Sequence, residues 1–411
     1  MKKLILFVTT LIIKVISFFF PGMYAGAEES KLELIKDFKS KYLNFSRNII
    51  IYLPKSYATT LTKKYPVIYA QDGQNLFDSK TAFMNNEWKF DETLDELINE
   101  KIIDEVIVVG IYNTGTERLN EYTFSVDKRL KNEKSGNGEN YAKFIVKELK
   151  PYIDKNYRTL KDKNNTAIMG SSLGAIASLY TTMIYKNVFG KVICMSPSFW
   201  WDNKIILTDL DKYNVLPSDF KLYIDGGHKE GNKANGQLIS STIEDMRSVY
   251  LKLIQKGFRI CDNLLYYEDT EGEHNEYCWG KRLSSPLIYM FGKFDGSIDS
   301  IKLNLIPSLF AVGTAANVFA EVIHPYNIPE TRIYGEFLLD NDELADIDNN
   351  NVITFKKEGK VNITFLLENK SVTKEIEILS SSSLMFQNIW SVVQLNHINK
   401  PKQSKFQYPE L

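Results

Sequence analysis

Short apolar segments alternate with helix-like segments from about residue 48 to about residue 294. The short segments are rich in β-branched and aromatic residues and end at Gly, Pro, Asn or Asp, as strands do. They are NIIIYLP, YPVIYAQDG, DEVIVVGIY, NTAIMG, KVICMSPS, KLYIDGG and NLLYYED. This alternation predicts an α/β fold: a mostly parallel sheet with helices on both faces and a ligand site at the carboxyl ends of the strands.

Two of the intervening segments have clear helical periodicity. ENYAKFIVKELKPYIDKNY has an apolar face that includes Tyr152, and Pro151 predicts a kink. STIEDMRSVYLKLIQKG has an apolar face that includes Ile254 and is predicted to end at Gly257. Both faces are expected to pack against the sheet.

The pattern changes beyond about residue 300. DNDELADIDNNNVITFKKEGKVNITFLLENKSVTKEIEIL alternates apolar and polar residues in three or four runs without a helix between them, which predicts a small antiparallel all-β domain. Part of it, ADIDNNNVITFKKEGKVNITF, resembles bacterial immunoglobulin-like domains. The resemblance implies a β-sandwich-like module over residues 298–380, followed by a tail over 381–411. We favour a structural role for this module over a binding role.

The first 27 residues have the features of a secretory signal peptide. Lys2 and Lys3 precede an apolar stretch, and a small-residue cleavage site follows at Ala25-Gly26-Ala27. Lys14 interrupts the apolar stretch and argues against the alternative, a retained membrane anchor. We therefore expect an exported protein, periplasmic or extracellular, with no stable membrane insertion after cleavage and with its first domain at residues 28–297.

The composition of the chain favours some classes of binding partner over others. The chain has 50 Lys and Arg against 51 Asp and Glu, giving a net charge of −1, so it shows no electrostatic footprint for nucleic acid. A small-molecule or carbohydrate partner fits better. The three cysteines form no disulfide framework, although the sequence permits one bridge between Cys261 and Cys278. No pattern with metal-ligand spacing and no phosphate-binding glycine loop occurs, so neither a metal nor a cofactor is expected.

One motif predicts nucleophilic chemistry. Gly170, Ser171, Ser172, Leu173 and Gly174 match G-x-S-x-G between a strand-like and a helix-like segment, where a nucleophile elbow would present its serine. Ser172 is therefore the candidate nucleophile. The alternative is a tight turn with a buried serine.

A serine nucleophile needs a general base and an acid that orients it. Of the four histidines, His274 in EGEHNEYCW follows the last predicted strand, whereas His228 follows the strand before it, where chain order places the acid. We therefore prefer His274 as the base. Between nucleophile and base, YIDGGHKEGN offers Asp225 within the strand and Glu230 in the loop beyond it, and we prefer Glu230.

The oxyanion of an acyl transfer needs two backbone donors. The N–H of Leu173, directly after the nucleophile, is the first candidate. The second is the N–H of Gln74 in YAQDGQNLFD, since Gly73 lets the chain turn its amides inward. We expect the neighbouring Asp72 to hold the backbone of this loop rather than to act as the acid.

Seven blocks of the sequence together carry a family resemblance. YAQDGQNLFD, GIYNTGTERLNEYTF, ELKPYIDKNY, MGSSLGA, MSPSFWWDN, YIDGGHKEG and EGEHNEYCW occur in the order seen in the putative esterase family of esterase D-like and enterochelin esterase-like proteins. The resemblance covers about residues 35–294 and implies an α/β-hydrolase fold, carboxylic-ester hydrolysis and a triad of Ser172, Glu230 and His274. The chain departs from the common pattern at Ala175 and in AQDG, away from the triad.

Three further residues are candidates for substrate binding. Trp200 and Trp201 in SPSFWWDN follow the strand after the elbow helix, where aromatic walls would suit a sugar ring or an aromatic acyl group, although we expect at least one of them to pack in the core. Arg118 is a candidate to bind a polar group of the substrate, with a surface ion pair as the alternative.

The sequence thus predicts a serine esterase that acts through an acyl-enzyme on a small, carbohydrate or siderophore-type ester. Two other functions fit parts of the pattern. An acyltransferase would use the same three residues, and an exported carbohydrate-binding protein would need none of them.

Overall fold

The computed structural model describes residues 29–130, 134–234, 237–308 and 310–381. The predicted signal peptide and all of the predicted tail except Ser381 lie outside these residues. The chain divides into two compact units after Gly296. Within the described ranges, no helix has both the length and the apolar character needed to cross a bilayer.

Among the residues that the structure describes, the first unit contains ten strands. They are β1 (Lys31–Phe38), β2 (Arg47–Leu53), β3 (Val67–Gln71), β4 (Ile107–Ile111), β5 (Thr166–Ser171), β6 (Lys191–Met195), β7 (Lys221–Gly227), β8 (Gly231–Ala234), β9 (Gln237–Ser241) and β10 (Leu264–Asp269). Eight of them form one sheet in the order β1-β2-β4-β3-β5-β6-β7-β10, and β8 and β9 form a separate hairpin. Within the eight-stranded sheet β2 runs antiparallel to β1 and β4, and all other neighbouring strands are parallel.

Helices connect these strands. They are α1 (Phe90–Asn99), α2 (Arg118–Tyr122), α3 (Gly138–Phe144), α4 (Lys150–Asn156), α5 (Leu173–Ile184), α6 (Trp201–Lys204), α7 (Ile206–Lys212), α8 (Thr242–Gln255), α9 (Glu276–Arg282) and α10 (Ser284–Phe291). Every residue of the central strands β3, β4 and β5 is buried, as expected for parallel strands covered on both faces. The predicted α/β-hydrolase fold is confirmed.

The structure departs from the expected elements in several places. β1 was not predicted, because its residues alternate between exposed and half-buried at the edge of the sheet. Between α3 and α4 the helix widens into a π-helical turn at Ile145–Leu149, just before Pro151, where proline has no N–H for the regular helical bond. Tyr152 and Ile254, predicted on apolar inner faces, are both exposed.

The described part of the second unit is built from β-strands. Its strands are β11 (Ser300–Ile306), β12 (Ala315–His324), β13 (Ile328–Arg332), β14 (Glu336–Leu339), β15 (Ala345–Ile347), β16 (Val352–Phe355), β17 (Gly359–Leu367) and β18 (Lys370–Ile378). They form a five-stranded and a three-stranded antiparallel sheet. One core cluster draws buried side chains from both sheets, among them Val318, Ile353 and Phe365. This arrangement confirms the predicted small all-β region and contains more strands than the alternation alone indicated.

Candidate active site

Ser172 occupies a strained turn between β5 and α5. Its backbone angles are φ 56° and ψ −124°, a combination that costs a side-chain-bearing residue free energy. The flanking glycines allow the turn, because a Cβ on Gly170 would lie 2.5 Å from the Gly174 backbone. The turn places the half-buried Ser172 at the carboxyl end of β5.

His274 and Glu230 lie in line with this hydroxyl. The Nε2 atom of His274 is 3.0 Å from Ser172 Oγ, and Nδ1 is 2.8 Å from Glu230 Oε2. The His274 side chain is 39 % exposed, whereas that of Glu230 is fully buried. The structure therefore brings together the three residues that were predicted as nucleophile, base and acid.

The alternative base and acid lie in other contacts. The Nε2 atom of His228 is 2.9 Å from Glu268 Oε2, whose carboxylate also accepts two hydrogen bonds from Arg247. Asp225 is buried at the end of β7, where it accepts hydrogen bonds from Tyr223 and Arg282. Burial raises the pKa of the Asp225 carboxyl, and the Arg282 guanidinium opposes this shift.

Glu230 is held by groups that sequence reasoning did not identify. Its Oε1 atom accepts hydrogen bonds from the Gly227 N–H at 2.8 Å and from the Ser196 hydroxyl at 2.6 Å. Ser196 in turn accepts from Trp279 Nε1 and Arg282 Nη2, at 2.8 and 2.9 Å. Trp279 also packs edge-on against the His274 ring, with centroids 5.1 Å apart. The only sequence signal was proximity, since SPS follows β6 and EYCWGKR follows His274.

The predicted oxyanion donors both lie at helix beginnings. Leu173 is the first residue of α5, and Gln74 is the second residue of the 3₁₀ turn Gly73–Asn75 after β3. Backbone N–H groups at such positions have no partner within the helix and can donate to an anion. Gly73 is needed there, because a Cβ would lie 2.5 Å from the backbone carbon of Gly110.

Arg118 forms an ion pair with Asp72, which directly precedes this 3₁₀ turn. Its guanidinium forms a bidentate pair with Asp72, with both N–O distances 2.8 Å, and Asn113 donates to the same carboxylate at 2.7 Å. The ion-pair alternative for Arg118 therefore matches the structure better than substrate binding does. Asp72 was expected to bind its own loop's backbone, but its carboxylate instead binds side chains of the segment that follows β4.

The two tryptophans differ in burial. Trp201 is only 2 % exposed, and its indole N–H donates to Ser125 Oγ at 3.1 Å. Trp200 is partly exposed and packs against Trp201, with ring centroids 5.8 Å apart. Trp201 thus lies in the interior, and Trp200 is the one available to a bound molecule. Elsewhere, Cys261 and Cys278 are not joined by a disulfide.

Comparison with known proteins agrees with this architecture. The chain is 33% identical to YjcH, an uncharacterized protein of Bacillus subtilis (strain 168), over 247 residues that cover 59% of this chain and 91% of YjcH. It is 26% identical to the ferri-bacillibactin esterase BesA of the same organism, over 42% of this chain and 61% of BesA.

A solved structure supports the fold. The enterobactin esterase FES from Shigella flexneri, determined in the presence of enterobactin, superposes with a TM-score of 0.50 at 18% sequence identity, covering 66% of this chain and 61% of that one. The putative esterase family model matches residues 40–290, more than half of the chain. The chain therefore belongs to the putative esterase family and is an enzyme of the ester hydrolase class.

Proposed function

We propose that the protein is a serine carboxylic-ester hydrolase that forms an acyl-enzyme on Ser172. The observation that carries the proposal is the continuous hydrogen-bond chain from Ser172 Oγ through the His274 ring to Glu230. Such a chain can move a proton away from a hydroxyl as that hydroxyl attacks.

The steps follow from these positions. As Ser172 Oγ bonds to the ester carbonyl carbon, its proton passes to His274 Nε2, and Glu230 stabilises the resulting imidazolium. The carbonyl electron pair moves onto oxygen, where the Leu173 and Gln74 amides are the proposed donors. The C–O bond to the alcohol then breaks and His274 protonates the leaving oxygen. Water attacks the acyl-enzyme by the same route and releases the acid.

We further propose a small, siderophore-type or carbohydrate ester as substrate. The name of BesA, an esterase of ferri-bacillibactin, favours the siderophore class, and the partly exposed Trp200 offers an aromatic surface that suits either class. Export to the periplasm or the exterior remains part of the proposal on the strength of the N-terminal sequence.

Hydrolysis of p-nitrophenyl acetate and butyrate tests the mechanism. Ser172→Ala and His274→Ala are expected to lower kcat by roughly 10⁴-fold or more, and a fluorophosphonate probe should modify Ser172. His228→Ala is the matched control, because this second histidine pairs with Glu268 instead of Ser172. The proposal fails if His228→Ala and His274→Ala lose activity equally, or if the label lands on another residue. Added acceptor alcohols would reveal an acyltransferase by a new ester product.

A further inference from the structure

The nucleophile has a second side-chain neighbour besides His274. Ser198 is 3 % exposed, and its Oγ atom lies 3.1 Å from Ser172 Oγ. The main chain of the same segment also holds the elbow: the Ser198 N–H donates to Ser172 O at 3.1 Å, and the Ser172 N–H donates to Met195 O at 3.0 Å. The residues after β6 therefore contact both the backbone and the hydroxyl of the nucleophile.

The direction of the hydrogen bond between the Ser172 and Ser198 hydroxyls follows from the positions of their protons. Ser172 has one hydroxyl proton, and in the proposed mechanism this proton points at His274 Nε2. The proton in the 3.1 Å contact must then come from Ser198. Around Ser172 Oγ, three of the four tetrahedral directions are thus occupied by Cβ, by the proton toward His274 and by Ser198. The remaining lone pair is the one available to attack a carbonyl carbon.

Ser196, two residues earlier, holds the other end of the triad. An ionised carboxylate only accepts hydrogen bonds, so Ser196 donates its proton to Glu230 Oε1 across 2.6 Å. Both lone pairs of the Ser196 hydroxyl are taken by N–H groups of Trp279 and Arg282. Each hydrogen-bonding position of this hydroxyl is therefore assigned, and its orientation is determined.

From this geometry we infer a role for the segment Ser196-Pro197-Ser198 in the reaction. Ser198 is a catalytic residue that directs the attacking lone pair of Ser172, and Ser196 is a positioning residue that acts through Glu230. The inference rests on the proposed serine mechanism and adds two residues to it.

The contribution of the Ser198 hydroxyl should appear in the rate constants of acylation and deacylation more than in the affinity for the ester. Ser198 contacts Ser172 Oγ, which carries partial negative charge when it attacks and again when it leaves the acyl-enzyme. A donor that interacts more strongly with this charge than with the neutral hydroxyl, before acylation, or with the neutral ester oxygen, before deacylation, stabilises both transition states. Removing it should slow acylation and deacylation while leaving the affinity for the ester nearly unchanged.

Kinetics of single-hydroxyl variants test the inference. Ser198→Ala is expected to lower kcat by about 10- to 100-fold with KM within about threefold of wild type, and to slow fluorophosphonate labelling of Ser172 by a similar factor. Ser196→Ala should lower kcat by about 10-fold and also reduce the melting temperature, because two buried N–H groups lose their acceptor. Ser285→Ala, a buried serine of α10, is the matched control and should keep kcat.

A second variant distinguishes the effect of losing the Ser196 hydroxyl from the effect of misfolding. Ser196 has a φ of 42°, so Ser196→Gly removes the hydroxyl while relieving this backbone conformation, and it should show the same loss in kcat. The inference is overturned if Ser198→Ala and Ser196→Gly both hydrolyse p-nitrophenyl acetate and react with the probe at wild-type rates. If the wild-type protein itself neither turns over nor labels at Ser172, the proposed function fails instead.

Discussion

Two buried carboxylates lie at the carboxyl end of β7, and their surroundings give them different tasks. Glu230 faces the His274 ring and accepts hydrogen bonds from Gly227 and Ser196. Asp225 faces Arg282, with N–O distances of 3.1 and 3.2 Å, and has no direct contact with His274. Each carboxylate can therefore be tested by replacement with its amide.

Glu230→Gln should lower kcat by about 10³-fold, because an amide can hold His274 in the wrong tautomer. Asp225→Asn should mainly reduce stability, by about 3 kcal/mol, because it leaves the buried Arg282 charge partly uncompensated. Turnover and urea denaturation of the two variants measure the two effects. Equal loss of turnover in both folded variants would contradict the assignment of Glu230 as the acid.

Lys221, at the beginning of β7, predicts a pH-dependent stability. Burial, followed by the nearby Lys191 charge, lowers the pKa of Lys221 to about 8 from 10.5. Between these two values the unfolded chain binds more protons than the folded one, so this group's contribution to stability rises with pH across that window. Below about pH 8 the full cost of burying its charge is present.

Lys221→Met should therefore stabilise the protein by about 1–2 kcal/mol at pH 7, partly offset by the loss of the cation–π contact with Tyr289. The gain should shrink as the pH is raised from 8 to 10.5. Urea denaturation of both proteins at several pH values measures this, and a gain that grows over the same interval would contradict the sign of the shift.

At the scale of elements, the junction between β5 and α5 places the candidate nucleophile on a strained backbone. Ser172 has backbone angles that only glycine adopts at low cost. Ser172→Gly should be about 1 kcal/mol more stable than Ser172→Ala, since both lack the hydroxyl and only glycine relieves the backbone, at some cost in chain entropy. Chemical denaturation compares them. An alanine variant as stable as the glycine variant would show that the turn stores no strain.

Sequence patterns predicted the elements best where burial was uniform. All seven predicted strands of the large sheet are present, because continuous apolar runs mark strands covered on both faces. β1 was missed because half of an edge strand faces solvent and leaves a weak pattern. The inner faces of α4 and α8 were each predicted one residue too wide, at Tyr152 and Ile254, since periodicity gives the direction of a face but not its width.

At the scale of the whole molecule, the second unit has a hydrophobic core cluster built from its own residues. The core cluster of the second unit contains only residues of that unit, with Phe365 fully buried. Phe365→Ala should destabilise this unit by about 3–5 kcal/mol through the cavity it creates. Because Ser172, Glu230 and His274 belong to the first unit, kcat should be unchanged.

Differential scanning calorimetry together with p-nitrophenyl acetate turnover tests whether the second unit can be destabilised without loss of turnover. A lowered transition for the second unit with unchanged turnover is the expected result. A parallel loss of turnover at a temperature where the first unit remains folded would show that the two units depend on each other.

The α/β architecture and the order of its chemistry-bearing loops could be predicted from the amino-acid sequence alone. Hydrophobic periodicity is local, and parallel strands bring their carboxyl ends to one edge of the sheet, so Ser172, Glu230 and His274 could be expected at that edge. The resemblance of the seven blocks pointed to the same three residues.

The pairing of side chains, by contrast, depends on how the elements pack in three dimensions. The tertiary structure placed Arg118 on Asp72, His228 on Glu268 and Trp201 in the interior, and it brought Ser196 and Ser198 onto the two ends of the triad. The four hydrogen-bonded pairs among these contacts join residues that lie between 26 and 46 positions apart in the chain. A hydrogen bond depends on a few tenths of an ångström and on direction, and neither is encoded in local spacing, so such pairs emerge only when the strands and helices have packed.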